Sequence, residues 1–193
     1  MPSPFRHLCL IIAEDYRANG RDWTKPGFRA VAVHRFGVWR MSIRTKILRA
    51  PFSLIYRMAF RRCRNVYGIE LPYSVQLGRR VIIEHQGGIV IHGASRIGDD
   101  SIIRQNCSLG ILHLDQLSAA PTIGRNVSIG AGSVIIGAVH VGDDCVIGAN
   151  AVVLRDLPEG VTAVGVPALI VDRRAKGIRL CNLRSGMKIS TEK

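Results

Sequence analysis

A period of six residues runs through the chain from Ile123 to Val153. Its blocks read IGRNVS, IGAGSV, IIGAVH, VGDDCV and IGANAV, with VLRDLP following. Ile123, Ile129, Ile135, Val141, Ile147 and Val153 open the blocks, and Gly comes next at 124, 130, 142 and 148. Four positions after each opener stands a small or β-branched residue: Val127, Ser133, Val139, Cys145 and Ala151. Neither a helical turn nor strand alternation has that spacing. A three-sided parallel β-helix does, because each flat face takes about six residues and a full coil about eighteen. One aliphatic side chain per face then points inward and stacks on its counterpart in the next coil. The glycine after the opener is expected in a cramped or left-handed backbone position, and the small residue in the narrow interior near a corner.

The repeat opens upstream of its cleanest stretch. Leu71, Leu77, Ile83 and Ile89 keep the period, and a two-residue slip in QGGIVIHG moves the frame to Ile91, Ile97, Ile103 and Leu109. The frame breaks again for ILHLDQLSAAPT, which reads as a loop inserted at a corner. Rigid repeat scaffolds place binding groups on such loops. From Leu71 to Leu157 the count is about five coils, a prism about 25 Å tall with short, partly apolar outer faces. Side-by-side association of prisms is expected. The Pro and Gly residues of DLPEGVTAVGVPALIV end the stack.

Three regions follow: an N-terminal helical segment (1–66), the β-helix (67–171) and a basic tail (172–193). In the first, RHLCLIIAEDYRANG ends in an Asn-Gly stop, and KPGFRAVAVHRFGVWRMSIRTKILRA has helical apolar spacing, with Pro51 expected to break it. FSLIYRMAFRRCRN then pairs an apolar stripe with Arg57, Arg61, Arg62 and Arg64. A helix capping the open end of the column is the expected reading, with an anionic membrane face as the alternative. The tail is expected to be partly disordered.

Of 193 residues, 47% are hydrophobic and 21% charged, which describes a folded chain, while only 6% are aromatic, as an aliphatic ladder requires. The formal charge of +13 attracts phosphates, acidic glycans, nucleic acid and anionic lipid alike. No nucleic-acid module is recognisable. The glycines of GAGSVIIG belong to the repeat, and no P-loop or dinucleotide fingerprint is present. Cys9, Cys63, Cys107, Cys145 and Cys181 form no CxxC pair, which points to reduced thiols in the cytoplasm. LCLII is too short for a membrane span and does not read as a signal peptide. A cytoplasmic protein is expected, with contact at the inner membrane face as an open alternative.

IEHQGGIVIHG, the SLG before the loop, the closing AVGVPA, and EDYRAN and HRFGVW in the helical segment together resemble the hexapeptide-repeat acyltransferases, most closely their serine acetyltransferase branch. The resemblance covers about residues 10–171. It implies a mainly β fold, a left-handed parallel β-helix with an N-terminal α-helical segment, with active sites between neighbouring subunits; the branch joins two trimers through its helical domain, and the shorter helical segment here favours a single trimer over a pair of trimers. It implies acetyl-CoA as co-substrate, no metal, and His85 as the base that deprotonates an acceptor hydroxyl, a role suited to an imidazole that titrates near neutrality. The branch's orienting aspartate is Glu70 here, with Glu84 as a competitor for that role or an acceptor contact. For the CoA arm the resemblance points to Gly110, Ala131 and Ala149. Arg173 and Arg174, just past AVGVPA, are candidates for the CoA phosphates, since arginine grips phosphate with a fork.

The chain departs from the branch where an amino-acid acceptor is held. An arginine and a second histidine are replaced by Ala119 and Ala120 before Pro121, and an acidic residue by Gly93. A neutral hydroxyl, as on a sugar of a surface polysaccharide or its precursor, is therefore the expected acceptor, with His92 and His113 as further candidate contacts. Serine is the alternative acceptor. A zinc-binding trimer related to carbonic anhydrase, using histidines among His85, His92, His113 and His140, and a non-catalytic scaffold are the readings from other classes.

Overall fold

The computed structural model describes residues 3–171. Three helices precede fifteen short strands. The strands stack on three faces. The first face carries β1 (Ile69–Glu70), β4 (Ile89–Ile91), β7 (Ser108–Gly110), β10 (Val134–Ile136) and β13 (Val152–Val153). The second carries β2 (Gln76–Leu77), β5 (Arg96–Ile97), β8 (Thr122–Ile123) and β11 (His140–Val141). The third carries β3 (Ile82–Ile83), β6 (Ile102–Ile103), β9 (Ser128–Ile129), β12 (Val146–Ile147) and β14 (Thr162–Val164), closed by the antiparallel β15 (Leu169–Val171). Every other pairing is parallel.

The register joins like to like: Ile97 to Ile123 to Val141 on one face, Ile83 to Ile103 to Ile129 to Ile147 on the next. All of these openers are buried, and each such side chain stabilises the fold by about 1.5–3 kcal/mol relative to exposure. The small-residue slot is buried as expected. There Ser133 Oγ lies 2.6 Å from the Gly130 carbonyl oxygen, and the Cys107 thiol points at the same oxygen from 3.1 Å. Burial pushes that thiol's pKa up.

The glycine that follows each opener is cramped and not left-handed. A Cβ on Gly130 would stand 2.6 Å from the Ala149 nitrogen of the next coil, so coil contact forbids a side chain there. The left-handed turn falls two residues later, at Arg80, Asp100, Asn106, Asn126, Asp144 and Asn150. Coils differ in length only at corners. Ile129 pairs with Ile147, eighteen residues on, whereas Ile83 pairs with Ile103, twenty on. The two extra residues lie in the corner from Glu84 to Gly88, so Ile89 and Ile91 both point inward on β4.

The helices are α1 (Pro4–Ala18), α2 (Pro26–Arg40) and α3 (Lys46–Tyr67). Pro51 does not break the third. The chain turns instead at 41–45, and α3 runs through Pro51 because its inner face is held by packing: Phe52 meets Trp39 and Phe36, and Tyr56, Cys63 and Tyr67 are buried. A proline near the start of a helix removes one backbone bond, which that packing offsets. The helix ends at Gly68, left-handed at φ 64. The layer packs on the first coil. α2 approaches that coil closely, since a Cβ on Gly27 would collide with the Ile83 carbonyl oxygen.

Polar contacts lock this joint. The buried pair Asp15 and Arg35 meets at 2.8 Å, Arg35 also donates to the carbonyl oxygens of Leu77 and Gly78, and the Arg80 amide donates to Asp15. His34 Nε2 lies 2.9 Å from the Val75 carbonyl oxygen. Arg40 is stacked between Tyr56 and Tyr73, its guanidinium carbon 4.4 and 4.5 Å from the ring centres. Among the described residues no helix is long and apolar enough to cross a membrane.

Candidate active site

One corner of the column, between the third and first faces, collects most of the candidate chemistry. Its successive coils present His85, Gln105, Ala131 and Ala149, each two residues after a stacked opener (Ile83, Ile103, Ile129, Ile147). At about 4.8 Å per coil, His85 stands about 14 Å below Ala149 along the column axis. His85 is exposed and left-handed, φ 65, one position earlier than the left-handed residue of the other corners. Left-handed corners recur throughout the column, so that angle alone does not mark a site. The widening of this corner by two residues does set it apart. Gly87 and Gly88 follow, both left-handed, and a Cβ on Gly88 would collide with Asn106 Oδ1.

The surrounding carboxylates divide. Glu84 is committed: its Oε2 lies 3.1 Å from Arg104 Nε on the next coil, and Arg104 also donates to Ser128 Oγ at 3.1 Å. Both partners are about one-third exposed or less. Glu70 points outward from β1, half-buried, between the buried Ile69 and Leu71. The Gly87 amide bonds the Tyr67 carbonyl oxygen, which holds the His85 corner over the start of β1. Among the described residues the His85 ring makes no hydrogen bond or ion pair, with Glu70 or any other group.

The remaining candidates lie elsewhere. His92 is on the corner between the first and second faces, where its Nδ1 accepts from the Ala94 amide at 3.3 Å. Gly110 ends β7 on that same corner, and a Cβ there would meet nothing within 4 Å. His113 is exposed in the inserted loop, which leaves from Gly110 and returns at Pro121. His140 is exposed on the second face. Within one chain, then, His85, Ala131 and Ala149 share a corner, and Gly110, His92 and His113 share another. Arg173 and Arg174 lie outside the described residues. Among the described residues no three His, Cys, Asp or Glu side chains are placed to hold a metal ion. An apolar cleft of about 780 Å³, lined by Leu8, Ile11, Val38, Trp39, Leu77 and Ile97, lies between α1, α2 and the second face, away from His85.

Two residues of the His85 corner escape a reading by motif. Gln105 is one coil above His85, and its buried Oε1 has no hydrogen-bond partner among the described residues. Arg104 places a cation beside Glu84. The signal for both was the slip itself, since a twenty-residue coil puts residue 104 over 84.

A three-sided column of stacked six-residue faces defines the hexapeptide-repeat class. Residues 120–155 match the family described as bacterial transferase hexapeptide (six repeats). The chain is 42% identical over 122 residues to the serine acetyltransferase of Helicobacter pylori strain J99, covering 63% of this chain and 71% of that one. It is 32% identical over 155 residues to the serine acetyltransferase of Synechococcus elongatus, covering 80% of this chain and 60% of the relative's length. The crystal structure of the Brucella abortus serine acetyltransferase in complex with coenzyme A superposes with a TM-score of 0.71 at 25% identity, covering 86% of this chain and 67% of that one. The chain belongs to the serine acetyltransferase family, and its column is the left-handed β-helix of hexapeptide repeats.

Proposed function

We propose that the protein is an acetyl-CoA-dependent O-acetyltransferase in which His85 is the general base. The observation that carries this reading is the shared corner. A thioester arm lying along the small Ala131 and Ala149 and past Gln105 ends beside an unbonded imidazole. His85 takes the proton of the acceptor hydroxyl as its oxygen attacks the acetyl carbonyl carbon. The carbon–sulfur bond then breaks, the acetyl group stays on the acceptor oxygen, and the CoA sulfur takes the proton from His85. Glu70 orients the imidazole once substrate or a neighbouring subunit closes the corner. Because Gly110, His92 and His113 stand on a different corner, a complete site pairs two prisms, which supports a homotrimer. Arg173 and Arg174, which lie outside the described residues, are the proposed partners of the CoA phosphates.

Serine is the acceptor that the relatives' names support, and the polysaccharide acceptor expected from the sequence finds no support among them. Arg104 and Glu84, next to His85, supply a cation for a carboxylate and an anion for an ammonium group when their ion pair opens. A neutral hydroxyl remains the second reading, carried by Ala119 and Ala120 where the family's cationic contacts stand. A thiol-release assay with acetyl-CoA separates the two. With serine, His85→Ala lowers turnover by about 10²–10⁴-fold at unchanged far-UV circular dichroism, and Arg104→Ala raises the serine KM. Turnover with sugar acceptors and none with serine selects the second reading, and a fully active His85→Ala protein discards both.

A further inference from the structure

The outer side of α3 has no partner in the fold. The helix is 22 residues long, about 33 Å at 1.5 Å per residue. Its inner side is spent on α2 and the first coil through Phe52, Tyr56, Cys63 and Tyr67. Its outer side carries Ile47, Leu54 and Met58 at helical spacing, with Leu48 and Ile55 alongside, and these five are 54–83% exposed. Arg61 and Arg62 continue the same line one turn beyond Met58, and Arg57 flanks it. Lys46, Arg49 and Arg64 bring the helix to six cations, and it contains no carboxylate. Among the described residues none of these six forms an ion pair with an acid.

We propose that this side of α3 docks on an anionic bilayer. The helix lies in the plane of the interface, the five aliphatic side chains enter the boundary between headgroups and acyl chains, and the arginines meet lipid phosphates. An apolar strip that runs into cations is the pattern of an interfacial helix. Pairing this face with itself about a two-fold axis would bring like charges together with no acid between them. The helix is not apolar enough to span, so it lies on the surface. The inference is independent of the acetyl-transfer reading.

Flotation of the full chain tests it, with vesicles of phosphatidylcholine alone and of phosphatidylcholine mixed with phosphatidylglycerol. The protein is expected to float with the mixed vesicles at low salt, to be released at high salt, and to ignore phosphatidylcholine. Replacing Arg57, Arg61 and Arg62 by serine lowers the partition coefficient by about 100-fold. Leu54→Asp combined with Met58→Asp abolishes flotation, with thermal melting unchanged because both positions face outward. The salt arm needs no substitution and decides the electrostatic part even if a variant misfolds. No flotation at low salt overturns the proposal. So does equal flotation of wild type and variants, which assigns binding to another basic segment such as 172–193. A change of oligomer mass in the Leu54→Asp, Met58→Asp variant with flotation intact assigns the face to contact between copies and also overturns it.

Discussion

The column and the helical layer are held together by opposite means. In the column the same aliphatic position recurs on every coil, the backbone bonds run between coils, and each buried isoleucine repeats the contribution of the one below. In the layer, side chains that occur once do the joining: Asp15 on Arg35, His34 on the Val75 carbonyl, Arg40 between two tyrosines. Loss of one apolar contact from a stack leaves its neighbours in place. Loss of one partner from a buried polar joint leaves a charge or a carbonyl with nothing to meet it. The first region is redundant by construction, the second is not.

Removing Asp15 strains that contrast most. Asp15→Ala leaves the Arg35 guanidinium buried without its carboxylate and is expected to destabilise by about 3–5 kcal/mol. Hydrogen exchange should locate the loss in α1 and α2, with the column still protected, and uniform loss across the chain would mean the two regions are one cooperative unit. Ile129→Ala, in the middle of the third face, is expected to cost about 2–5 kcal/mol in urea denaturation, with protection reduced at β9 and retained in the coils on either side.

A smaller effect comes from His34, whose pKa burial pushes down to about 4, against the opposing pull of the Val75 carbonyl. The folded pKa lies below the ordinary 6.5, so the unfolded chain takes the proton first as pH falls. The contribution of neutral His34 is whole above about pH 6.5 and is lost between that value and about 4, to a total of about 3 kcal/mol. His34→Gln, which keeps a donor for Val75 and does not titrate, should flatten this slope; an unchanged slope places the pH sensitivity elsewhere. The smallest effect belongs to Glu14, which reaches Arg79 and Arg80 at the rim of the joint. The bond from Arg80 leads in holding its carboxyl below the usual range, yet Glu14→Gln should cost no more than about 1 kcal/mol and less still at high salt.

Legibility in the sequence followed the same division. The openers from Ile97 to Val153, the small-residue slot and the inserted loop could be placed because the period states the neighbour of each residue in advance. The site was legible in part. His85, Ala131 and Ala149 came from motif likeness, and their common corner follows from the register. Arg104 and Gln105 did not stand out, because the slip hides which residue of the second coil lies over the first. Pro51 misled, since local propensity speaks for a break while the packing of Phe52, Tyr56 and Cys63 keeps the helix whole. The glycine after each opener was assigned two causes, and only coil contact applied.

What the chain's letters determined alone was the column, because a six-residue repeat can bury one aliphatic per face only by coiling on itself. The joint of Asp15, Arg35 and His34 with the first coil was decided by tertiary structure. Those residues are remote in sequence, occur once and obey no period, so nothing short of the folded backbone specifies which buried charge meets which.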